Sequence, residues 1–360
     1  MPARHGILAL TLALTLTVVL SCGVESTSAA ARKAMWGPGF RHGVSVFPIF
    51  HELGTKVYED DLRWNLIALR RPKDPRNPND PAYVWPSEVT HAVAEAKRYG
   101  MQVALQIIGS PEWANGHLPP KWVPLRLRYY AEFAVAAARR YPSVHLWMIW
   151  GEPSRSKNFR PLTPARPYEK LDAHQRIAPH LYARLLDKAY GALTAENPAN
   201  LIIGGMTDTA ASITPVEWIE NLRLPDGKPP RMDMYGHNPF SIRAPDLANE
   251  PAINQQLDFS DLVRLHELVD ENLGTPENPE PKLFLSEWTI PTARDREFNF
   301  SVEQRVQALW ITDGLRIVSE LPYVYALGWI HLTDELPQFA GGLIESDGRQ
   351  KLGYYAWRDG

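Results

Sequence analysis

The sequence predicts a single (β/α)8 barrel, and three observations carry that reading. After the first thirty residues, short apolar runs alternate with stretches of helical periodicity along the whole chain, which argues a parallel sheet flanked by helices. Eight such units can be read, a number that closes a barrel rather than leaving an open sheet. No G-x-G-x-x-G follows the first apolar run, which counts against a dinucleotide fold, and no stretch reads as a linker.

Residues 1–31 read as a leader and short linker, and 32–360 as the barrel. Arg4 and His5 precede an apolar run from Ile7 to Leu20, a basic segment and hydrophobic core of secretory length. Val19-Leu20-Ser21-Cys22 matches a bacterial lipobox with Cys22 as the lipidated residue, and Ser28-Ala29-Ala30-Ala31 offers ordinary cleavage instead. The protein is therefore expected to be exported, either lipid-anchored at the cell envelope or secreted. Cys22 is the single cysteine, so no internal disulfide can form.

The units follow in order. Gly43 to Phe47 reads as the first strand and Leu62 to Leu69 as the second, followed by a loop whose prolines exclude regular structure. Pro86 to Tyr99 has helical spacing and closes at Gly100. Gln102 to Ile108 is the third strand, and Pro124 to Arg140 a helix with Leu127, Tyr130, Phe133, Ala134 and Ala137 on one face. Val144 to Trp150 is the fourth strand. A long loop then leads to a helix from Ala178 to Glu196. Leu201 to Gly205 is the fifth strand, Pro215 to Leu224 a helix, and Met232 to His237 the sixth strand. Phe259 to Leu273 is a helix, Leu283 to Leu285 lies in the seventh strand, Val302 to Leu321 is a helix, and Tyr323 to Ile330 is the eighth strand. The tail from Gly341 closes the chain without an assigned element.

Two of these runs end in glutamates. Val144–Trp150 leads into Gly151-Glu152-Pro153, and the seventh strand into Ser286-Glu287-Trp288. A carboxylate at the C-terminal end of a barrel strand is placed where active sites of this fold lie. Two of them on one rim match the pair that glycosidic cleavage requires, one to protonate the leaving oxygen and one to support or attack the oxocarbenium-like carbon.

Composition narrows the alternatives. The net charge of −3 gives no electrostatic support for a nucleic-acid role. Twelve tryptophans and thirty-two prolines, most of the prolines lying between the apolar runs, fit loops that bind flat, partly apolar ligands such as sugars. No H-E-x-x-H, cysteine pair or Asp-rich loop points to a metal, no cofactor motif is present, and no G-x-S-x-G elbow occurs. A carbohydrate is the expected partner. Membrane contact is expected only through a lipid on Cys22, and no feature specifies an oligomeric state.

The motifs resemble those of the clan A retaining glycoside hydrolases, most of all families 39 and 5. WGEPSRSKNF is similar to their W-N-E-P-N-x-x-x-F, LFLSEWTIPT to their strand-seven glutamate motif, GSPEWANG to a strand-three T/S-P-x-W-A, MDMYGHNPF to a strand-six D-x-x-x-x-H-x-Y, and ALGWIHLTDE to a strand-eight W-x-x-x-x-D. The resemblance covers most of the chain beyond the leader. It implies a (β/α)8 barrel, Glu152 as general acid/base and Glu287 as nucleophile. Glu152 would then need its pKa raised, with the negative Glu287 as the source of that shift.

Two departures stand out. Gly151 occupies the position where the clan has an Asn that contacts the sugar 2-hydroxyl, and Phe240 the position of a Tyr bonded to the nucleophile. Three explanations follow: Asn115 or Asn158 substitutes, the substrate lacks that hydroxyl, or the site is inactive and the protein is a surface-anchored carbohydrate binder. Trp113, Trp288 and Trp329 are candidate sugar platforms or else core fillers. His237 is a candidate contact to nucleophile or substrate, or a satisfied strand-end histidine. Arg155, in a loop with Lys157, Arg160, Arg166 and Lys170, is a candidate ligand for an anionic sugar, or part of a solvated basic loop. Asp334, Glu335 and His331 are open as further polar groups.

Overall fold

The computed structural model describes residues 1, 30–240 and 243–360, so Cys22 and nearly all of the leader lie outside the described residues. Eight parallel strands close a barrel: β1 Arg32–Trp36, β2 Val57–Arg63, β3 Gln102–Ile108, β4 Leu146–Ile149, β5 Leu201–Asp208, β6 Met234–Asn238, β7 Lys282–Trp288 and β8 Val324–Trp329. Each strand pairs with its sequence neighbours, and β1 pairs with β8 to close the ring. Closure leaves no free sheet edge.

Alternation along each strand sorts side chains between the two faces. Ala34, Val57, Ala104, Leu146, Ile203, Met234, Phe284 and Ala326 fill the barrel interior. One step nearer the mouth the filling turns polar. The Trp36 indole donates to the Ser286 hydroxyl at 3.0 Å, and that hydroxyl donates to Glu59 Oε2 at 2.6 Å. Glu59 is fully buried, and burial pushes its carboxyl well above the carboxylate range.

The outer faces of the strands pack on helices. Ser87–Arg98 carries Glu88 in its first turn and Lys97 and Arg98 in its last, matching the helix dipole, and ends before Gly100 in the left-handed conformation. Two tyrosines tie helices to the strand ends. From helix Leu127–Arg140, the Tyr130 hydroxyl donates to Ile107 O at 2.7 Å and accepts from Trp150 N at 3.2 Å. From helix Ile177–Glu196, the Tyr182 hydroxyl donates to Ile149 O at 2.7 Å. Both clamps fix the end of β4.

The units from β3 onward lie close to where the sequence places them. The first two strands do not. Gly43 has φ +79°, Val44–Ser45 pairs back onto Phe40–Arg41 as a small hairpin, and Phe47–Glu52 is a helix with Pro48 in its first turn. The barrel strand is instead Arg32–Trp36. The second strand is Val57–Arg63, and the apolar run assigned to it continues as the short helix Trp64–Ile67. The tail also holds a helix, Leu352–Asp359, that packs Trp357 against Trp329.

Asp334, open at the sequence level as a further acid, belongs to the framework. It is buried and meets Lys351 Nζ at 2.7 Å, and that ammonium also donates to Thr292 Oγ1 at 2.7 Å and Ala340 O at 3.1 Å. Removing one partner of a buried pair strands the other charge. Lys351→Ala is expected to lower the unfolding free energy by about 3–5 kcal/mol in urea titration at pH 7. A loss below about 1 kcal/mol, the range of an exposed pair, would show that the pair does not anchor the tail.

Candidate active site

The site begins with backbone held out of its relaxed conformation. Beyond the end of β4, Trp150 has φ +64° and Glu152 φ +43°. Non-glycine residues in this region cost on the order of 1–3 kcal/mol each and persist only where surroundings enforce them. Enforcement comes from Trp150: its N–H donates to Ile107 O at 3.1 Å and its indole to Asn158 O at 3.0 Å, while Tyr130 holds it from the helix. The chain turns sharply and aims Glu152 into the barrel mouth.

There the Glu152 carboxylate is gripped. Arg155 Nη1 lies 3.0 Å from Oε2 and 3.2 Å from Oε1, Asn158 Nδ2 donates to Oε2 at 2.9 Å, and Asn238 Nδ2 reaches Oε1 at 3.4 Å. The same Arg155 nitrogen lies 2.9 Å from Asp208 Oδ2, so one guanidinium bridges two carboxyls. Asp208 is buried, and burial first, then the charge of Glu152, pushes it up to about 8 against the opposing pull of Arg155.

Glu287 stands in contrast. It keeps a narrow face open to the mouth, and among the described residues its carboxyl has no hydrogen-bond partner. Burial pushes its pKa well above the carboxylate range, and the charges of Glu152, Glu59, Asp61 and Glu297 push in the same direction. Asp61 is itself raised to about 6 by burial. Glu152, by contrast, is surrounded by donors. The expectation was that Glu287 raises Glu152; the acid that burial and its neighbours raise is Glu287 itself, and the Arg155 guanidinium stands on Glu152.

Two adjoining cavities open from these carboxyls, and both are lined by Glu152 and Glu287. One, of about 460 Å³, runs along Arg63, Asn65, Gln106, Lys121 and the edge of Trp150. The other, of about 540 Å³, runs along Arg155, Lys157, Asp208, Phe240, Arg296 and Phe298. Phe240 and Phe298 meet edge to face at 5.4 Å and supply apolar ring surface to this second cavity. A cleft of this size with few convergent polar groups fits a small polyhydroxylated ligand.

The sequence candidates divide. Glu152, Glu287, Arg155 and Asn158 come together at the mouth, and the other five belong to the framework. Asn115 is buried in its own loop, donating to Leu118 O at 2.9 Å and accepting from Leu118 N at 3.0 Å, so it cannot reach a sugar. Trp113 donates to Ala68 O at 2.8 Å and packs edge-on against Trp64. Trp288 and Trp329 are fully buried and cross each other at 5.5 Å behind the barrel wall, so neither is a sugar platform. His237 is also fully buried. Its Nε2 donates to Leu257 O at 2.8 Å, so Nδ1 is the nitrogen that accepts from the Thr207 hydroxyl at 2.8 Å. Burial lowers it to about 4, which keeps it neutral and inert. Of the basic loop, Lys170 pairs with Glu220, and Arg155 is engaged by Glu152 and Asp208, leaving Lys157 at the second cavity.

Asp208, Asn238 and Gln106 were not singled out from sequence. Asp208 ends β5, which runs past Gly205 through a register shift that hides its true length. Gln106 had a visible signal: it is the one polar residue inside the apolar run of β3.

No protein-family profile matches the chain, and no curated protein matches it. Solved structures do. A family 39 glycoside hydrolase from Bacteroides cellulosilyticus superposes with a TM-score of 0.63 at 16% identity, over 92% of this chain and 64% of that one. A glucosidase from Croceicoccus marinus gives 0.62 at 15%, over 91% and 64%, and a monomeric β-xylosidase from Caulobacter crescentus gives 0.61 at 16%, over 91% and 67%. The chain thus shares the (β/α)8 barrel of glycoside hydrolases of family 39 and spans about two thirds of their length. At this identity the likeness is one of fold.

The electrostatics of Glu287 have a consequence for stability. An acid whose pKa is raised by folding costs nothing below the unfolded value of about 4.3, and costs increasingly above it, because the unfolded chain releases a proton that the folded chain keeps. Glu287→Gln removes that cost without breaking a hydrogen bond. The variant is expected to match the wild type near pH 4 and to exceed it by about 1 kcal/mol or more at pH 7. Equal stability at pH 7 in urea titration would contradict an uncompensated acid at this position.

Proposed function

We propose that this protein is a retaining O-glycoside hydrolase that cleaves oligo- or polysaccharides by double displacement, with Glu152 as acid/base and Glu287 as nucleophile. The observation that carries the reading is the sharing of both cavities by these two carboxyls. In the first step a Glu287 oxygen bonds to the anomeric carbon as the bond to the leaving oxygen breaks, and that oxygen takes the proton of Glu152. In the second, water gives a proton to Glu152 and its oxygen displaces Glu287 from the carbon, which restores both carboxyls.

Before the first step Glu287 must be ionised and Glu152 must carry a proton. Asp208, 2.9 Å from the same Arg155 nitrogen, gives the guanidinium a second anchor as it is drawn off Glu152. A sugar over Glu287 displaces the water that ionisation of that carboxyl would otherwise need, and the developing positive charge at the anomeric carbon compensates it instead. The similar structures include a glucosidase and a β-xylosidase, which supports neutral sugars as the first substrates to try.

The grip of Arg155, Asn158 and Asn238 on Glu152 favours one second reading, a carbohydrate-binding protein that retains the cleft without turnover. A panel of 2-fluoroglycosides followed by intact-mass and peptide mapping separates the two. The expected result is a covalent adduct on the peptide containing Glu287. An adduct on the Glu152 peptide would exchange the two roles, and absence of both adduct and hydrolysis would leave the binder. Glu152→Gln is expected to lose about 10²–10⁴-fold in rate, and unchanged rate would remove it from the chemistry.

A further inference from the structure

Gly151 is a glycine for a reason that lies on another strand. A Cβ built there would lie 2.5 Å from Gln106 Oε1 and 3.2 Å from its Cδ. The space that a side chain before Glu152 would take is already filled by the amide of Gln106, delivered from β3. The two positions are therefore alternatives: either residue 151 carries a side chain into this corner or residue 106 does.

The Gln106 amide is not a core filler. It is only 6% exposed, and among the described residues it has no hydrogen-bond partner. The other buried glutamine, Gln307, donates to Ile290 O at 2.8 Å. An unpaired buried amide costs roughly 1–3 kcal/mol unless a ligand or water completes it. On its strand, Gln106 pairs in register with Asp61 on one side and Met148 on the other, and it shares the interior parity of Ala104. Its polar end faces the 460 Å³ cavity that Glu152 and Glu287 also line. The same arrangement recurs at the outer end of that cavity. A Cβ on Gly109 would lie 2.4 Å from Asn65 Oδ1, and the Asn65 amide likewise has no partner among the described residues. Two amides, each with donor and acceptor free and each given room by a glycine, make a wall suited to hydroxyl groups.

We propose that the Gln106 amide is the specificity-determining contact to the sugar hydroxyl on the carbon next to the one that is cleaved. The proposal rests on the glycosidase reading. The anomeric carbon must lie between Glu152 and Glu287, and the hydroxyl on the adjacent carbon is the substrate group nearest to it. Gln106 is the unpaired polar group next to the residue preceding Glu152. A hydrogen bond there strengthens as charge develops on the ring, which is where such a contact accelerates the reaction. Gln106 thus does from β3 what Asn115 and Asn158, one locked in its loop and the other bonded to Glu152, are not free to do.

The test is a cycle of two changes, one on the protein and one on the sugar, read as kcat/KM with 4-nitrophenyl glycosides and their 2-deoxy counterparts. Removing the hydroxyl should cost the wild type about 100-fold, the size of a transition-state contact worth several kcal/mol. Gln106→Leu should lose a similar factor on the parent glycoside and then be indifferent to the hydroxyl within about twofold. Gly151→Ala, which leaves the amide in place but forces it aside, should show the same pattern and guards against a folding defect in the first variant. Losses that multiply independently in both variants would overturn the assignment. If the wild type hydrolyses none of the panel, the glycosidase reading fails on its own. The same cycle is then read as Kd, by tryptophan fluorescence, for free sugars and their 2-deoxy forms. Coupling there keeps Gln106 as the hydroxyl contact, and independent losses or no binding overturn it.

Discussion

Too many carboxyls in one poorly solvated mouth is the constraint on which the arrangement of this barrel depends. Glu59, Asp61, Glu152 and Glu297 all add to burial in pushing up Glu287. Ionising every one of them would cost far more than folding supplies, so protons are retained instead. Burial pushes Glu59 and Glu287 well above the carboxylate range and raises Asp208 to about 8. Arg155 is the exception that gives the site its polarity. By standing between Glu152 and Asp208 it makes one end of the cleft able to carry negative charge and leaves the other end dependent on whatever enters.

That constraint also explains which strands can be read from sequence. Strands β3 to β8 are apolar runs because most of their residues fill the interior or face helices. Strand β2 is VYEDDLR, and its interior positions Glu59 and Asp61 belong to the acid cluster. Hydrophobicity drops where the strand approaches the site, and the apolar signal shifts five residues on, to Leu62–Leu69, most of which forms the turn and helix after the strand. Strand β1 was displaced for a simpler reason: RKAMW is short and follows the leader, while Gly43–Phe47 alternates like a strand but has a glycine in the left-handed conformation and a proline next to Phe47. The acids that make the mouth chemically interesting are the same residues that hide one of its strands.

The site was legible to the extent that parity was respected. Neighbouring residues on a strand point to opposite faces. Phe284 and Ser286 face the interior, and a register shift against β8 then breaks the alternation, so that Glu287 reaches the mouth and Trp288 packs outward against Phe259 at 4.5 Å and Trp329 at 5.5 Å. Trp329 follows Gly328, whose missing side chain leaves room for Glu59, and therefore also faces the helices. Trp329 could have been assigned to the framework from its position beside an interior residue, whereas the shift in β7 hides the direction of Trp288. His237 is less transparent, because its neutral, doubly bonded state depends on Thr207 and Leu257, which only the register shift in β5 and the loop after β6 bring near. The aromatic surface actually present, Phe240 with Phe298, draws on a loop that carries no periodic signal at all.

Gly151 shows how two neighbouring strands divide the space at one point of the barrel mouth. The similar solved structures share only 15–16% of residues, yet the barrel closes in the same way, since closure depends on backbone pairing and interior volume rather than on particular side chains. Within such a frame a functional group need not remain at one position in the sequence. It must occupy one point in the mouth, and strands β3 and β4 both border that point, with Gln106 beside Met148 in register. With no side chain on the residue before Glu152, the space there is filled by a longer side chain from the neighbouring strand, which a Cβ at that position would push aside. A motif comparison along the chain registers only the glycine, whereas the distances across the barrel show what fills the space beside it.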